Sequence, residues 1–311
     1  YGAGFVMENK WVKEFSDYYV CPNPKEFILT HFPEVKEGEN ISDLTLLPEN
    51  NGICNNLQEF GELVLIKSYF YVYDLTQIFP TKSLLELDKD NKSIITVFYN
   101  KGKKEKKLKI SVSVEKKEDL LLVGQPNAYL IHKFEDRFII ELVFNDEGEY
   151  EVKLFFGYEG SDKMRWMTSH RAVVDKKLDK EYKFPTFPAS YNMSLISPKY
   201  LNQVMKGTFV NFKIQCSDEK IKDKLYVNSY GVYVKMKLIQ NSDNIYVARD
   251  MYIIKEEIKI SIEGEGGYRK LIKYKAIENP NNKEVSFPEV FDSPIILYSP
   301  LLAKLQAHEK Y

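Results

Sequence analysis

The stretch Lys107–Lys116, KLKISVSVEK, sets Leu108, Ile110, Val112 and Val114 on one face and Lys109, Ser111, Ser113 and Glu115 on the other. Side chains of an extended chain alternate with period two, so this is a strand buried on one side and wetted on the other. The same period runs through Tyr150, Val152, Leu154 and Phe156, and through Ile258, Ile260 and Ile262. GVYVKMKL (Gly231–Leu238) repeats it with Val232, Val234, Met236 and Leu238. One-sided antiparallel strands of this kind build β-sandwiches. With 22 Tyr and 19 Phe, the chain is rich in residues that suit a pleated, half-buried surface.

Turn residues fall between these runs. YNKGKKEKK leads from Ile94–Phe98 to the strand at Leu108, NDEGEY from Phe138–Phe144 to Tyr150–Phe156, and EGEGGY from Ile258–Ile262 to Tyr268–Tyr274; each reads as a hairpin. The last two suggest an internal repeat of strand, acidic glycine turn, Tyr and second strand, centred on Tyr150 and Tyr268. A second echo links FPASYNMSLISPKYL (Phe187–Leu201) to FPEVFDSPIILYSPLL (Phe287–Leu302), which places the start of a third module near Phe287.

The boundaries that follow are 1–57, an N-terminal segment; 58–158, a first sandwich; 159–186, a polar connection; 187–279, a second sandwich; and 280–311, a tail or the start of the third module. Roughly 100 residues per module is the size of an immunoglobulin-like sandwich. Helix is scarce. In NPKEFILTHFP (Asn23–Pro33), Asn23 can cap, Pro24 fits the first helical position, Glu26 can complete a capping box and Pro33 ends the helix after two turns at most.

Composition narrows the function. The 44 basic and 45 acidic residues leave a formal charge of -1, against the basic footprint of a duplex nucleic-acid binder. No run approaches the ~20 apolar residues of a transmembrane helix. Cys21, Cys54 and Cys216 form no CxxC pair, and the four histidines form no HxxxH, so neither a metal site nor a cofactor is expected. Reduced thiols fit a cytoplasmic protein.

The first residues carry a more specific signal. Tyr1, Gly2, Ala3 and Gly4 are followed by DYYVCPNPKEFILTHFP (Asp17–Pro33). This series resembles the end of the transglutaminase-like domain in the kyphoscoliosis peptidase and hillarin family. There, Trp-Gly-Ala-Gly follows the catalytic Asp, and a Tyr-rich, Pro-containing stretch closes on His-Phe-Pro. Gly2, Ala3, Gly4, Tyr19, Pro24, Phe27, His31, Phe32 and Pro33 stand in matching places, while Tyr1 replaces the usual Trp and Cys21 departs from the pattern. The resemblance implies a chain made of the last part of that domain followed by β-rich modules. It also implies that the catalytic Cys, His and Asp lie upstream of residue 1, and that the partners are muscle and actin-linked scaffolds.

Cys54, in NNGICNNL, has no His beside it in sequence and reads as an ordinary thiol, as do Cys21 and Cys216. His31 reads as a packed histidine at the exit of the short helix. Lys103, Lys104, Lys106 and Lys107 lie in a Lys-rich hairpin that is either a contact for an acidic partner or a solvated edge. Arg165, Trp166 and Arg171 gather residue types enriched at binding hot spots, and Trp166 is expected to be substantially buried between or beside modules. Two functional classes follow. One is a non-catalytic scaffold whose sandwiches dock a protein partner, cytoskeletal by the resemblance. The other is the substrate-presenting part of an active thiol peptidase or crosslinking enzyme. The sequence leaves the oligomeric state open.

Overall fold

A computed structural model describes residues 3–7, 10–14, 24–32, 56–100, 107–117, 128–185, 187, 191–229, 231–239 and 243–279. The protein is mainly β. After the antiparallel pair β1 (Ala3–Met7) and β2 (Lys10–Glu14) come α1 (Pro24–Phe27), α2 (Leu57–Glu62), β3 (Leu65–Ile66) and α3 (Tyr69–Val72). The next strands are β4 (Leu75–Phe79), β5 (Lys92–Tyr99), β6 (Leu108–Lys116), β7 (Tyr129–Lys133), β8 (Arg137–Val143), β9 (Gly148–Tyr158) and β10 (Arg165–Val174). A second set comprises β11 (Met193–Ser197), β12 (Phe209–Cys216), β13 (Leu225–Ser229), β14 (Val232–Lys235), β15 (Lys237–Leu238), β16 (Ile245–Tyr252), β17 (Glu257–Gly264) and β18 (Gly267–Lys275). No helix among the described residues is long and apolar enough to cross a membrane.

The sheet orders are β4-β5-β8-β7 with β3-β10-β9-β6, and β11-β12-β16-β15 with β14-β13-β17-β18. In each set the first, second, fifth and fourth strands, counted without the added β3 or β14, form one sheet. The third, sixth and seventh form the other. That is the ABED and CFG order of an immunoglobulin-like sandwich, with β14 in the place of the extra strand C′. Tyr150, fully buried at the start of β9 and two residues ahead of Val152, occupies the tyrosine-corner position of strand F.

Two compact units divide the chain. Unit 1 comprises Tyr1–Asp88, Ile95–Gln125 and Glu147–Lys176; unit 2 comprises Lys89–Ile94, Pro126–Asp146 and Lys177–Tyr311. In unit 1 the alternating residues Leu108, Ile110, Val112 and Val114 are buried beside Tyr150, Val152, Leu154 and Phe156. In unit 2 the core gathers Phe212, Ile214, Leu225, Val227, Ile258, Ile260, Ile272 and Tyr274, joined by Leu130 and Val143 of the β7–β8 hairpin. Truncating one such aromatic to Ala costs about 3–5 kcal/mol.

Several sequence expectations need correction. Residues 159–186 are not merely a connection, because Arg165–Val174 is a strand paired with β9 over its whole length. YNKGKKEKK and NDEGEY are not hairpins within a sheet: β5 and β6 lie in different sheets, as do β8 and β9. Turn residues reverse the chain, but they do not decide whether the next strand pairs with the last or crosses to the other sheet. EGEGGY is a hairpin, closed by Gly264 opposite Gly267, whose φ of 108° favours glycine. The repeat read at Tyr150 and Tyr268 therefore matches two different steps of the fold. GVYVKMKL is not one strand either. It changes sheets at Met236, so that Met236 is buried and Leu238 is 50% exposed. The third module expected from about Phe287 lies outside the described residues.

Candidate docking surface

Strand β10 carries the residues singled out for interaction. A bulge between Trp166 and Thr168 turns Met167 and Thr168 inward together and leaves Trp166 half-buried. The Trp166 indole N–H donates to the Thr168 carbonyl at 3.0 Å, and the Lys67 ammonium sits 4.5 Å from the ring centroid. The neighbouring Arg165 guanidinium lies 4.0 Å over the Tyr69 ring. Each such cation–π contact stabilises by about 0.5–1 kcal/mol at an exposed site. Trp166 is thus part of a strand of unit 1, packed under a lysine of that unit.

Further along β10, Arg171 is exposed and its backbone N–H donates to Ser83 at 2.6 Å. It lines a groove of about 610 Å³ whose apolar wall includes Leu29, Phe60 and Leu65, and whose polar wall includes Lys117 and Glu151. Leu29 reaches this groove because the short helix α1 is anchored by Ile28, which is buried against Phe32, Phe60 and Leu63. Asn56 caps α2 by accepting from the Glu59 N–H at 2.8 Å, which holds Phe60 in place. His31 is exposed and stacks on Phe27 at 4.2 Å; Thr30 Oγ1 lies 2.7 Å from its Nδ1. Partial burial holds its imidazole below the ordinary range, against an opposing backbone hydrogen bond to Phe27. The structure therefore brings Arg171 to one groove with Leu29 and Thr30, in the turn that follows α1, while Phe27, His31 and Phe32 do not line it.

Other candidate residues lie elsewhere. Ala3 and Gly4 pair with Glu14 and Lys13 in the β1–β2 ladder, and Pro24 opens α1. Lys107 is exposed just ahead of β6. Gly2, Tyr19, Pro33, Lys103, Lys104 and Lys106 fall outside the described residues, as do Cys21 and Cys54. Cys216 is a buried free thiol in β12; burial pushes its pKa up to about 11, so it carries almost no thiolate near neutral pH.

One polar centre escaped the sequence reading. In unit 2, His132 on β7 is 3% exposed; its Nε2 lies 3.0 Å from Glu141 Oε1 on β8, and its Nδ1 lies 2.8 Å from Ser194 Oγ on β11. Lys199 Nζ donates to both Glu141 oxygens, at 2.7 and 2.9 Å. Burial opposes charge on Glu141, but the hydrogen bonds from His132 and Lys199 outweigh it and bring its pKa down to about 2. The order Ser, His, carboxylate has the connectivity of a hydrolytic triad. Here Lys199 clasps the carboxylate at both oxygens, and the whole group joins three strands, so its chemistry is that of a lock. The available signal was Glu141 alone among apolar residues in FIIELVF, since a buried charge needs a partner.

No family model matches this sequence, and no curated protein matches it. Among solved structures, the chain is similar to the N-terminal Ig1-2 module of the Drosophila receptor protein tyrosine phosphatase DLAR. That match has 10% identity and a TM-score of 0.20, and covers 65% of this chain and 98% of that one. It is also similar to fibronectin(III)-like modules of Clostridium thermocellum CbhA, at 12% identity and TM-score 0.21 over 65% and 94% of the two chains. A marsupial T cell receptor gives 11% identity and TM-score 0.21 over 62% and 90%. The immunoglobulin-like assignment rests on this chain's own strand order.

Proposed function

We propose that this chain is the non-catalytic docking region of a transglutaminase-like protein, and that its sandwiches engage a cytoskeletal partner in the cytoplasm. The observation that supports this reading best is the groove in unit 1. It joins Leu29 of the family-like segment to Arg171 of β10, with an apolar wall and charged groups above it. Apolar contact framed by Arg and Lys is how protein interfaces combine desolvated anchors with a polar rim. The resemblance of Phe27–Pro33 to the closing stretch of a transglutaminase-like domain supplies the parent protein and the class of partner. Cys216 is too deeply buried to serve as a nucleophile, which favours docking over catalysis for the described modules.

A photo-crosslinking residue placed at position 65 tests the surface directly. With purified actin filaments, the expected result is a covalent adduct that disappears in the Arg171→Glu variant. Adducts from a control position on β18 alone, with none from position 65, would overturn the assignment of the groove.

A further inference from the structure

The sheet crossing at Met236 leaves a second concave surface, in unit 2. Strand β14 pairs only with β13, and β15 pairs only with β16, so both are sheet edges among the described residues. Met236 anchors the crossing: its side chain is buried and its N–H donates to the Leu225 carbonyl at 2.8 Å. Between the two edges lies a groove of about 630 Å³. Val234, Ile239 and Val247 give it an apolar floor, while Lys235, Lys237 and Arg249 stand exposed around it. None of the residues lining it is acidic, and none of those three cations makes an ion pair among the described residues.

The edge of β15 also offers backbone groups. Ile239 N–H donates to Ile245 at 2.9 Å, which makes 239 and 245 a hydrogen-bonded pair across β15 and β16. Bonded and non-bonded pairs alternate in an antiparallel ladder, so the N–H and C=O of Leu238 point away from β16. Lysines on an edge deter self-pairing and repel basic strands, and the same charges attract an acidic one.

We propose that this edge groove accepts an extended segment of a partner protein in which pairs of carboxylates alternate with pairs of apolar residues, so that each face of the added strand presents both. The segment adds as a strand beside β15, hydrogen-bonds to the Leu238 backbone, sets its apolar residues on Val234, Ile239 and Val247, and pairs its carboxylates with Lys235, Lys237 and Arg249. This deepens the docking reading by naming the chemistry of a partner, and it uses a surface separate from the groove at Arg171.

The test uses the full 311-residue chain and two fluorescein-labelled, capped octapeptides, one of repeating Glu-Glu-Val-Val and the other of repeating Lys-Lys-Val-Val. The glutamate peptide should give a saturable rise in anisotropy that weakens with added salt, and the lysine peptide should give none. Binding should weaken at least tenfold in the double variant Lys235→Glu, Lys237→Glu, whose changes are on exposed side chains. Leu238→Pro removes only the outward donor and should weaken it similarly while the melting temperature holds. Equal binding of both peptides, or unchanged affinity in both variants, overturns the proposal. So does a concentration-dependent dimer abolished by the double variant, which would make a second copy of this chain the occupant. Loss of peptide binding in Arg171→Glu alone would reassign the peptide to unit 1, sinking this inference and leaving the docking reading standing.

Discussion

His132 on β7 and Glu141 on β8 are joined through Nε2 and Oε1 at 3.0 Å, and the same carboxylate holds Lys199. An ionised carboxylate only accepts, so the imidazole donates from Nε2 and its Nδ1 meets the Ser194 hydroxyl. Replacing Glu141 with Gln should cost about 1–3 kcal/mol, the cost of weakening charge-assisted bonds at a mostly buried site. The sign with pH follows from the depressed folded pKa of about 2 against an ordinary value of 4.5. The carboxylate's contribution is complete above pH 4.5 and fades as pH falls towards 2. Denaturant midpoints of wild type and Glu141→Gln should therefore differ near neutrality and converge in strong acid.

His170 gives a second pH signature. It is fully buried on β10, with Nε2 3.1 Å from the Pro80 carbonyl, and burial lowers its pKa to about 4 despite that bond. The unfolded chain then takes up the proton first, so stability falls as pH drops from 6.5 to 4 and is flat above. The loss is on the order of 3 kcal/mol over that window. His170→Gln should remove this slope in a series of urea denaturations between pH 4 and 7.

The sheet crossing makes Met236 and Leu238 inequivalent although both are apolar and two residues apart. Met236→Asp should destabilise by about 3 kcal/mol or more, because it buries an unpaired charge. Leu238→Asp should change stability by less than about 0.5 kcal/mol. Equal losses in thermal denaturation would mean that a single strand runs through both residues.

Cys216 should resist alkylation. At pH 8 a thiol with a pKa of about 11 is ionised in only about one molecule in a thousand, and the group is buried as well. Peptide mapping after iodoacetamide treatment should find Cys216 unmodified in native protein and fully modified in guanidinium.

What the sequence disclosed follows from strand physics. Leu108 to Val114 and Tyr150 to Phe156 alternate without interruption, so their burial could be read directly. Strand β10 was obscured because its bulge places Met167 and Thr168 inward in succession and because His170, a polar residue, fills a core position. The crossing at Met236 was hidden because an unbroken period of two carries no mark of which sheet each half joins. Arg165, Trp166 and Arg171 were visible as residue types that suit an interface. The groove at Arg171 was not visible, since Leu29 and Phe60 reach Arg171 only through tertiary packing. The lock at His132 depends likewise on Lys199 and Ser194, far along the chain.

The proposed role is docking to a cytoskeletal filament. Co-sedimentation of the purified chain with actin filaments, over a range of filament concentrations, tests this most directly. Saturable pelleting, weakened at least tenfold by Arg171→Glu without a change in melting temperature, is the expected result. A chain that stays in the supernatant at every concentration, while showing thiol-dependent amide cleavage, would contradict it.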